Sequence, residues 1–365
     1  MNAEHGLVFT RRPHPAPVAA NVRAAMLEDP GFGRIFSDHM ATIRWTQDRG
    51  WHAAEIRPRE PFVLDPASAV FHYAQEIFEG LKAYRMRNGG VALFRPEQNA
   101  RRFQASAERL AMPVLPEAAF LRAIEELVKT DVEWVPPGGD GSLYLRPFMF
   151  ACEAFLGVRP ASDYHFVVIA SPVGAYFKGG KKAVSVWLSA DNTRAAPGGT
   201  GAAKCGGNYA ASLVAQAEAI RHGCDQVVFL DAAERRWVEE LGGMNVFFVF
   251  DDGSMLTPPL GGTILPGVTR DSIIALARAD GRTVREERYS YESWRADAAS
   301  GRLREAFACG TAAVVTPISE IKSADGRFVI GNGGGGAVAE TLRAKLVGIQ
   351  RGEIADEFGW VRRVV

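Results

Sequence analysis

Gly198-Gly199-Thr200-Gly201-Ala202-Ala203-Lys204-Cys205-Gly206-Gly207-Asn208-Tyr209 is the stretch that decides the reading of this chain. One lysine lies between two glycine clusters, and the alanine-rich apolar run over residues 210–220 behind it reads as a helix. Glycine on both sides lets the backbone turn sharply and lets a flat ligand approach the chain closely. A lysine held there and taken out of water loses affinity for its proton, and the neutral amine is the nucleophile a Schiff base needs. Taken alone, a lysine in a glycine-rich loop is more often solvated. A phosphate-cradling loop is the other sharp reading. The Walker pattern requires Gly-Lys-Ser/Thr, however, and here Ala203 and Cys205 flank the lysine.

Working outward, 365 residues suit about two domains. Hydrophobic residues at 47% and charged residues at 23% fit a globular protein, and 42 basic against 42 acidic residues create no field for nucleic acid or an anionic membrane. Cys152, Cys205, Cys224 and Cys309 are widely spaced with no C-x-x-C, so neither a metal site nor a disulfide scaffold is expected. No uncharged apolar run approaches the ~20 residues of a membrane span. Arg11-Arg12-Pro13 with no apolar segment behind it does not read as a secretory signal, so a cytoplasmic location is expected.

In the first half, residues 40–45, 51–57, 62–64 and 70–73 read as strands, mostly antiparallel because their connections are too short for crossovers. Residues 78–84 and 91–94 extend that sheet, two helices are predicted over 96–110 and 116–135, and strands return at 143–150 and 166–170. Residues 171–180 read as a linker. Beyond it strands are predicted at 184–188, 226–230, 238–240, 246–250, 305–309 and 312–316, with helices over 267–279 and 338–347. Residues 331–336 match G-x-G-x-x-G in form, but no βαβ unit precedes them and they read as a loop.

Eight stretches, in order, resemble the fold-type IV pyridoxal-phosphate enzymes and, within them, the branched-chain amino-acid aminotransferases. They are Phe71-His72-Tyr73, Phe78-Glu79-Gly80-Leu81-Lys82, Asn99-Ala100-Arg101-Arg102-Phe103 and Leu143-Tyr144-Leu145-Arg146-Pro147, then Lys204 to Tyr209, Glu240-Leu241-Gly242-Gly243-Met244-Asn245, Leu265-Pro266-Gly267-Val268-Thr269-Arg270 and Gly310-Thr311-Ala312. Together they span nearly the whole chain from about Phe36. The resemblance implies an α/β (α+β) fold of two domains: a smaller N-terminal α/β domain over 1–173, an interdomain loop over 174–182 and a larger C-terminal domain over 183–365 carrying the lysine. It also implies a homodimer with its site shared across the interface, amino acids and 2-oxo acids as partners, and pyridoxal 5'-phosphate as cofactor.

The resemblance assigns roles residue by residue. Lys204 is the Schiff-base and proton-transfer residue, Glu240 the carboxylate facing the pyridine nitrogen, Tyr209 the hydrogen-bond partner of the phenolic oxygen. Arg102, rather than its neighbour Arg101, is the phosphate arginine, a planar fork suited to an oxyanion. Val268 and Thr269 at a helix start, with the Thr311 hydroxyl, complete the phosphate site. Tyr73 (expected from the partner subunit), Phe78, Tyr144 and Tyr176 would cage a branched aliphatic side chain, and Arg146 would meet the distal carboxylate of glutamate. Gly243 and Ala312 would face the α-carboxylate. Some members of the family carry a hydroxyl residue where this chain has Gly243, and some have a C-x-x-C shortly after the Gly-Thr-Ala stretch where this chain has Ala313 and Thr316. The implied reaction is transamination of leucine, isoleucine and valine with 2-oxoglutarate by a ping-pong route. D-amino-acid aminotransferase and aminodeoxychorismate lyase are the rivals within the fold; a cofactor-free nucleotide-binding protein is the rival outside it.

Overall fold

A computed structural model describes residues 7–174 and 183–365. The chain forms two compact units. Among the described residues, the first comprises 7–174, returns for 203–206, and returns again for 349–365; the second comprises 183–202 and 207–348. Residues 203–206, with the lysine expected in the second half, therefore pack with the first unit.

The first unit is built on a nine-stranded sheet among the described residues. Its strands are β1 (Thr10–Arg11), β2 (His39–Thr46), β3 (Gly50–Pro58), β4 (Glu76–Phe78), β5 (Leu81–Arg85), β6 (Val91–Phe94), β7 (Ser142–Ala151) and β8 (Asp163–Val173), with the C-terminal strand Val361–Arg363. The order is β1-β3-β2-β8-β7-β5-β6 and then the C-terminal strand, with β4 also pairing β7. Apart from the parallel β1–β3 pair the ladders are antiparallel, as the short connections require.

Two short helices, α1 (Ala20–Glu28) and α2 (Ala69–Tyr73), precede the pair that builds the core, α3 (Pro96–Arg109) and α4 (Glu117–Thr130). In α3, Pro96 starts the helix and Asn99, Ala100, Arg102, Phe103, Ser106 and Ala107 recur on one buried face at helical spacing. Phe103 meets Phe120 of α4 and Phe166 of β8 with ring centroids 5.4 Å from each. Each such ring contributes about 1.5–3 kcal/mol by leaving water. Ala203 and Cys205 are buried in this same core, so alternation on either side of Lys204 pins the excursion to the first unit.

The second unit carries another nine-stranded sheet among the described residues. Its strands are β9 (Val184–Ser189), β10 (Gln226–Leu230), β11 (Val238–Leu241), β12 (Asn245–Phe250), β13 (Met255–Thr257), β14 (Val284–Glu286), β15 (Leu303–Gly310), β16 (Val314–Ser323) and β17 (Gly326–Val329). The order is β11-β10-β9-β16-β15-β12-β13-β14, with β17 on β16. The pairs β9–β10, β9–β16 and β13–β14 are parallel. Helices α5 (Gly206–Ala210), α6 (Leu213–Arg221), α7 (Val268–Ala279), α8 (Tyr291–Ser300) and α9 (Ala337–Arg351) complete the order. Phe248 of β12 packs against Tyr289 and Trp294 at 4.7 and 5.0 Å between ring centroids. Trp294 is fully buried.

Several expected elements differ. Residues 62–64 form no strand, and 70–73 lie in α2: the Ser68 N–H turns back to the Asp65 carbonyl, the Phe71 N–H closes a turn on the Ser68 carbonyl, and the Ala69 N–H anchors the start to Glu153. The strand expected over 78–84 is split at Glu79-Gly80, where β4 leaves off and β5 begins. Ser171, Pro172 and Val173, placed in the linker, instead finish β8 opposite Tyr144, Leu143 and Ser142. The helix over 210–220 is two helices, and Ala312 and Ala313 belong to the turn before β16. Residues 331–336 are a loop. No helix among the described residues is long and apolar enough to cross a membrane.

Candidate active site

In the first unit, strand period brings Tyr144 and Arg146 to one face of β7 while Leu143, Leu145 and Met149 enter the core. The Arg146 Nη2 donates to the Tyr144 hydroxyl at 3.1 Å, and its guanidinium lies 4.8 Å from the centre of the Phe78 ring. Its buried Nε has no partner among the described residues. A Cβ on Gly80, beside this pair, would overlap the Tyr144 hydroxyl, so a side chain there would displace that ring.

Lys204 is fixed at both backbone ends. Its N–H donates to Ser106 Oγ at 2.9 Å, and its carbonyl accepts from the Phe78 N–H at 2.9 Å. The Nζ sits 4.7 Å from the Phe78 ring centre. The residue keeps some solvent exposure along its length, but the surroundings of the amine are densely packed. Burial first, then the positive charge of Arg102, bring its pKa down to about 8, with Glu79 and Tyr144 opposing and Arg146 assisting. Beyond the lysine, the Gly206 N–H donates to Glu76 Oε1, and a Cβ on Gly206 would overlap that carboxylate. Burial raises the Glu76 pKa against that hydrogen bond and the charge of Arg146.

The α3 register separates the two arginines. Arg101 is exposed and pairs with Glu117 at 3.2 Å. Arg102 is buried, and Glu79 grips it through Nε at 2.6 Å and Nη2 at 2.9 Å. Glu79 also accepts from Asn99 Nδ2 at 2.7 Å and from the Gly80 N–H at 3.0 Å. Burial alone would raise the Glu79 pKa, but the charge and hydrogen bonds of Arg102, with Lys204 and Asn99, hold it below the usual range. Glu79 and Asn99 were quoted in the motifs above without a role; their polarity at buried positions was the signal.

In the second unit, Glu240 of β11 is buried and held by one ion pair and two hydrogen-bond donors. Arg194 Nη2 reaches Oε1 at 2.5 Å, the Leu265 N–H reaches Oε1 at 3.1 Å, and Asn245 Nδ2 reaches Oε2 at 3.2 Å. Its neighbour Glu239 accepts from Thr263 Oγ1 at 2.5 Å and is raised in pKa chiefly by burial, with Thr263 and Arg194 opposing. Val268 and Thr269 occupy the first two positions of α7, whose first-turn N–H groups have no intrahelical acceptor. Thr311 and Ala312 are half-buried in the turn from β15 to β16. That turn ends at Val314 with φ +62°, a conformation that costs a β-branched residue about 1–3 kcal/mol. Tyr209 of α5 lies beside Gly243, where an added Cβ would come 3.7 Å from Tyr209 Cε1, an ordinary contact. Tyr73 ends α2 half-buried, its hydroxyl donating to the Leu156 carbonyl. Tyr176 lies outside the described residues.

A family model described as amino-transferase class IV matches residues 76–321. The chain is 54% identical over 362 residues to the branched-chain-amino-acid aminotransferase of Mycolicibacterium smegmatis, covering 98% of each protein. The chain belongs to this family. Its fold agrees: the crystal structure of the Escherichia coli branched-chain amino acid aminotransferase superposes with TM-score 0.74 at 31% identity, over 89% of this chain and all of that one. The branched-chain amino acid aminotransferase from Thermobaculum terrenum, solved in its PLP-form, superposes with TM-score 0.70 at 26% identity, over 88% of this chain and 98% of that one. The two-sheet α/β architecture of this aminotransferase is that of fold-type IV.

Proposed function

We propose that this aminotransferase interconverts L-leucine, L-isoleucine and L-valine with their 2-oxo acids, using 2-oxoglutarate and L-glutamate as the second pair, in a ping-pong cycle with pyridoxal 5'-phosphate. The observation that carries the reading is Lys204, a densely packed amine whose pKa is brought down to about 8 beside a buried arginine.

The residues present fit the cofactor. A near-neutral amine suits its aldehyde, buried Arg102 and the start of α7 suit its phosphate, and Glu240, surrounded by donors, suits a protonated ring nitrogen. When bound, pyridoxal phosphate supplies a carbonyl carbon for the amino group and a ring that withdraws the electron pair left at the substrate α-carbon. Lys204 would carry the proton to and from that carbon on Nζ, which its lowered pKa allows near neutrality. Glu240 would keep the ring nitrogen protonated, and Tyr209 would donate to the phenolic oxygen. Thr311 would add its hydroxyl to the phosphate site with the Val268 and Thr269 amides.

Phe78 and Tyr144 give an apolar wall for a branched side chain, and Tyr176 is proposed to add to it. Arg146 offers the distal carboxylate of glutamate a charge-assisted partner, and its unpartnered buried Nε is consistent with a missing acceptor. Gly243 and Ala312 would lie along the α-carboxylate. Tyr73 is proposed to act in the site of a second copy of this chain. Apolar side chains left exposed on the first unit, among them Val63, Phe71, Leu156 and Val158, support a homodimer. A cytoplasmic location is proposed with it.

The test is the visible spectrum of the purified protein. A yellow band that L-leucine bleaches and 2-oxoglutarate restores is expected. A band unmoved by leucine would overturn the substrate, and no band with added pyridoxal phosphate would overturn the role of Lys204.

A further inference from the structure

Arg194, half of a deeply enclosed ion pair of the second unit, has no part in the roles assigned so far. Arg194 lies in the loop after β9, in the unpatterned stretch Asn192-Thr193-Arg194. Its side chain and that of Glu240 are each 4% exposed, and they meet at 2.5 Å. The same Nη2 also donates to two backbone carbonyls, Gly201 at 2.9 Å and Thr263 at 2.5 Å.

These contacts join three stretches of chain. Gly201 belongs to the glycine loop before the lysine, and a Cβ on it would overlap the backbone of Thr263, so the two stretches are already pressed together. Glu240 accepts from the Leu265 N–H, two residues past Thr263. Asn245, the other donor to Glu240, also donates to the Leu265 carbonyl at 3.0 Å, and its Oδ1 fills the space beside Gly267, immediately before α7. Thus one guanidinium connects the glycine loop, the carboxylate and the stretch that leads into α7.

We propose that Arg194 is a positioning residue of the reaction: it holds the Glu240 carboxylate in one orientation as an anion and ties it to the glycine loop and to the 263–267 stretch. This rests on the reading of Glu240 as the partner of the cofactor's ring nitrogen. The charge balance supports it. Glu239 and Glu240 are adjacent on β11, and Arg194 is the cation that meets the Glu240 carboxylate directly. Asp231 and Arg288 also act on Glu239, and on the other side the Cys309 thiol faces both Glu240 and Arg270. Burial pushes the Cys309 thiol up to about 12, so it stays neutral throughout the working range. A carboxylate out of water favours taking up a proton unless a cation opposes it. Removing Arg194 therefore raises the pH at which Glu240 loses its charge.

The experiment compares Arg194→Gln, Arg194→Lys and Glu240→Gln with the wild-type holoenzyme. It measures kcat/KM against pH and the loss of the cofactor's visible band on dialysis at pH 6 and pH 8. For Arg194→Gln the acid limb of kcat/KM moves up by about one pH unit or more, and cofactor is lost roughly tenfold faster at pH 6 than at pH 8. Arg194→Lys keeps the charge, but its flexible ammonium does not hold the fixed position from which Nη2 meets all three acceptors, so its acid limb stays near the wild-type position while cofactor loss is faster at both pH values. An Arg194→Gln enzyme that melts earlier yet keeps the wild-type acid limb and pH-independent retention would reduce Arg194 to a packing role and overturn the proposal. Should Arg194→Gln not fold, Arg194→Lys decides: faster cofactor loss supports the proposal, and wild-type behaviour in both measurements overturns it. Glu240→Gln separates the two levels. If it matches wild type in spectrum and rate, the reading of Glu240 falls and the proposal with it. If it is impaired while Arg194→Gln is unshifted, the proposal alone falls.

Discussion

The two units carry enclosed clusters built around groups of opposite sign, an amine in one and a carboxylate in the other. Around Lys204 the cations lead: Arg102 and Arg146 stand against the buried anion Glu79, and the lysine is the group driven toward neutrality. Around Glu240 a carboxylate is the enclosed group: Arg194 meets it directly and favours its charged form, while Glu239 beside it in sequence takes its hydrogen bond from Thr263. The same elements of burial and ion pairing thus give an amine that can release its proton and a carboxylate that can stay charged. That division is what proton transfer at one atom and ring protonation at another require.

Four substitutions would break or sharpen this contrast. Lys204→Ala removes the amine itself, and turnover should fall by about 10⁴-fold or below detection, together with the yellow band; steady-state rates and the spectrum check this. Arg102→Met removes a cation from the lysine cluster. Cofactor affinity should drop roughly tenfold to a hundredfold for the lost charged hydrogen bonds, and the Lys204 titration should move up from about 8, because a like charge no longer opposes the ammonium. Fluorescence titration with pyridoxal phosphate and pH-dependent labelling of the apoprotein read the two effects.

Glu79→Gln removes the anion instead, so the same titration should move down by about a unit or less while the shape of the Arg102 contact is largely kept. Opposite shifts from Arg102→Met and Glu79→Gln are the sharpest form of the contrast; shifts of the same sign would break it. Gly243→Ser should be nearly silent in stability, within about 0.5 kcal/mol, because the new Cβ meets only the edge of Tyr209 at ordinary distance. A small fall in KM for the amino acid, measured at saturating 2-oxoglutarate, would be the gain from the added hydroxyl.

Much of the fold was legible because periodicity is physical. The buried stripe Asn99-Ala100-Arg102-Phe103-Ser106-Ala107 and the alternation along β7 are what placed Arg102 inward and Tyr144 beside Arg146. What the sequence concealed were consequences of packing at a distance. Residues 70–73 look like a strand by composition, yet backbone bonds from residues 68, 69 and 71 turn the chain into a helix there. Ala203 and Cys205 resemble loop residues but are core, and they carry Lys204 into the first unit. Within the site, Lys204, Arg102, Tyr209 and Glu240 stood out through the resemblance and by residue type. Glu79, Asn99, Arg194 and Asn245 did not, since their importance lies in what they hold, and Arg194 sits in a stretch with no periodicity.

The most direct test of the account is the titration of Lys204 in the cofactor-free protein, followed as the pH dependence of acylation at that residue by mass spectrometry. The account predicts half-maximal reactivity near about 8, well below an ordinary lysine at about 10.4. A midpoint at the ordinary value, or a lysine acylated no faster than those on the surface, would contradict it.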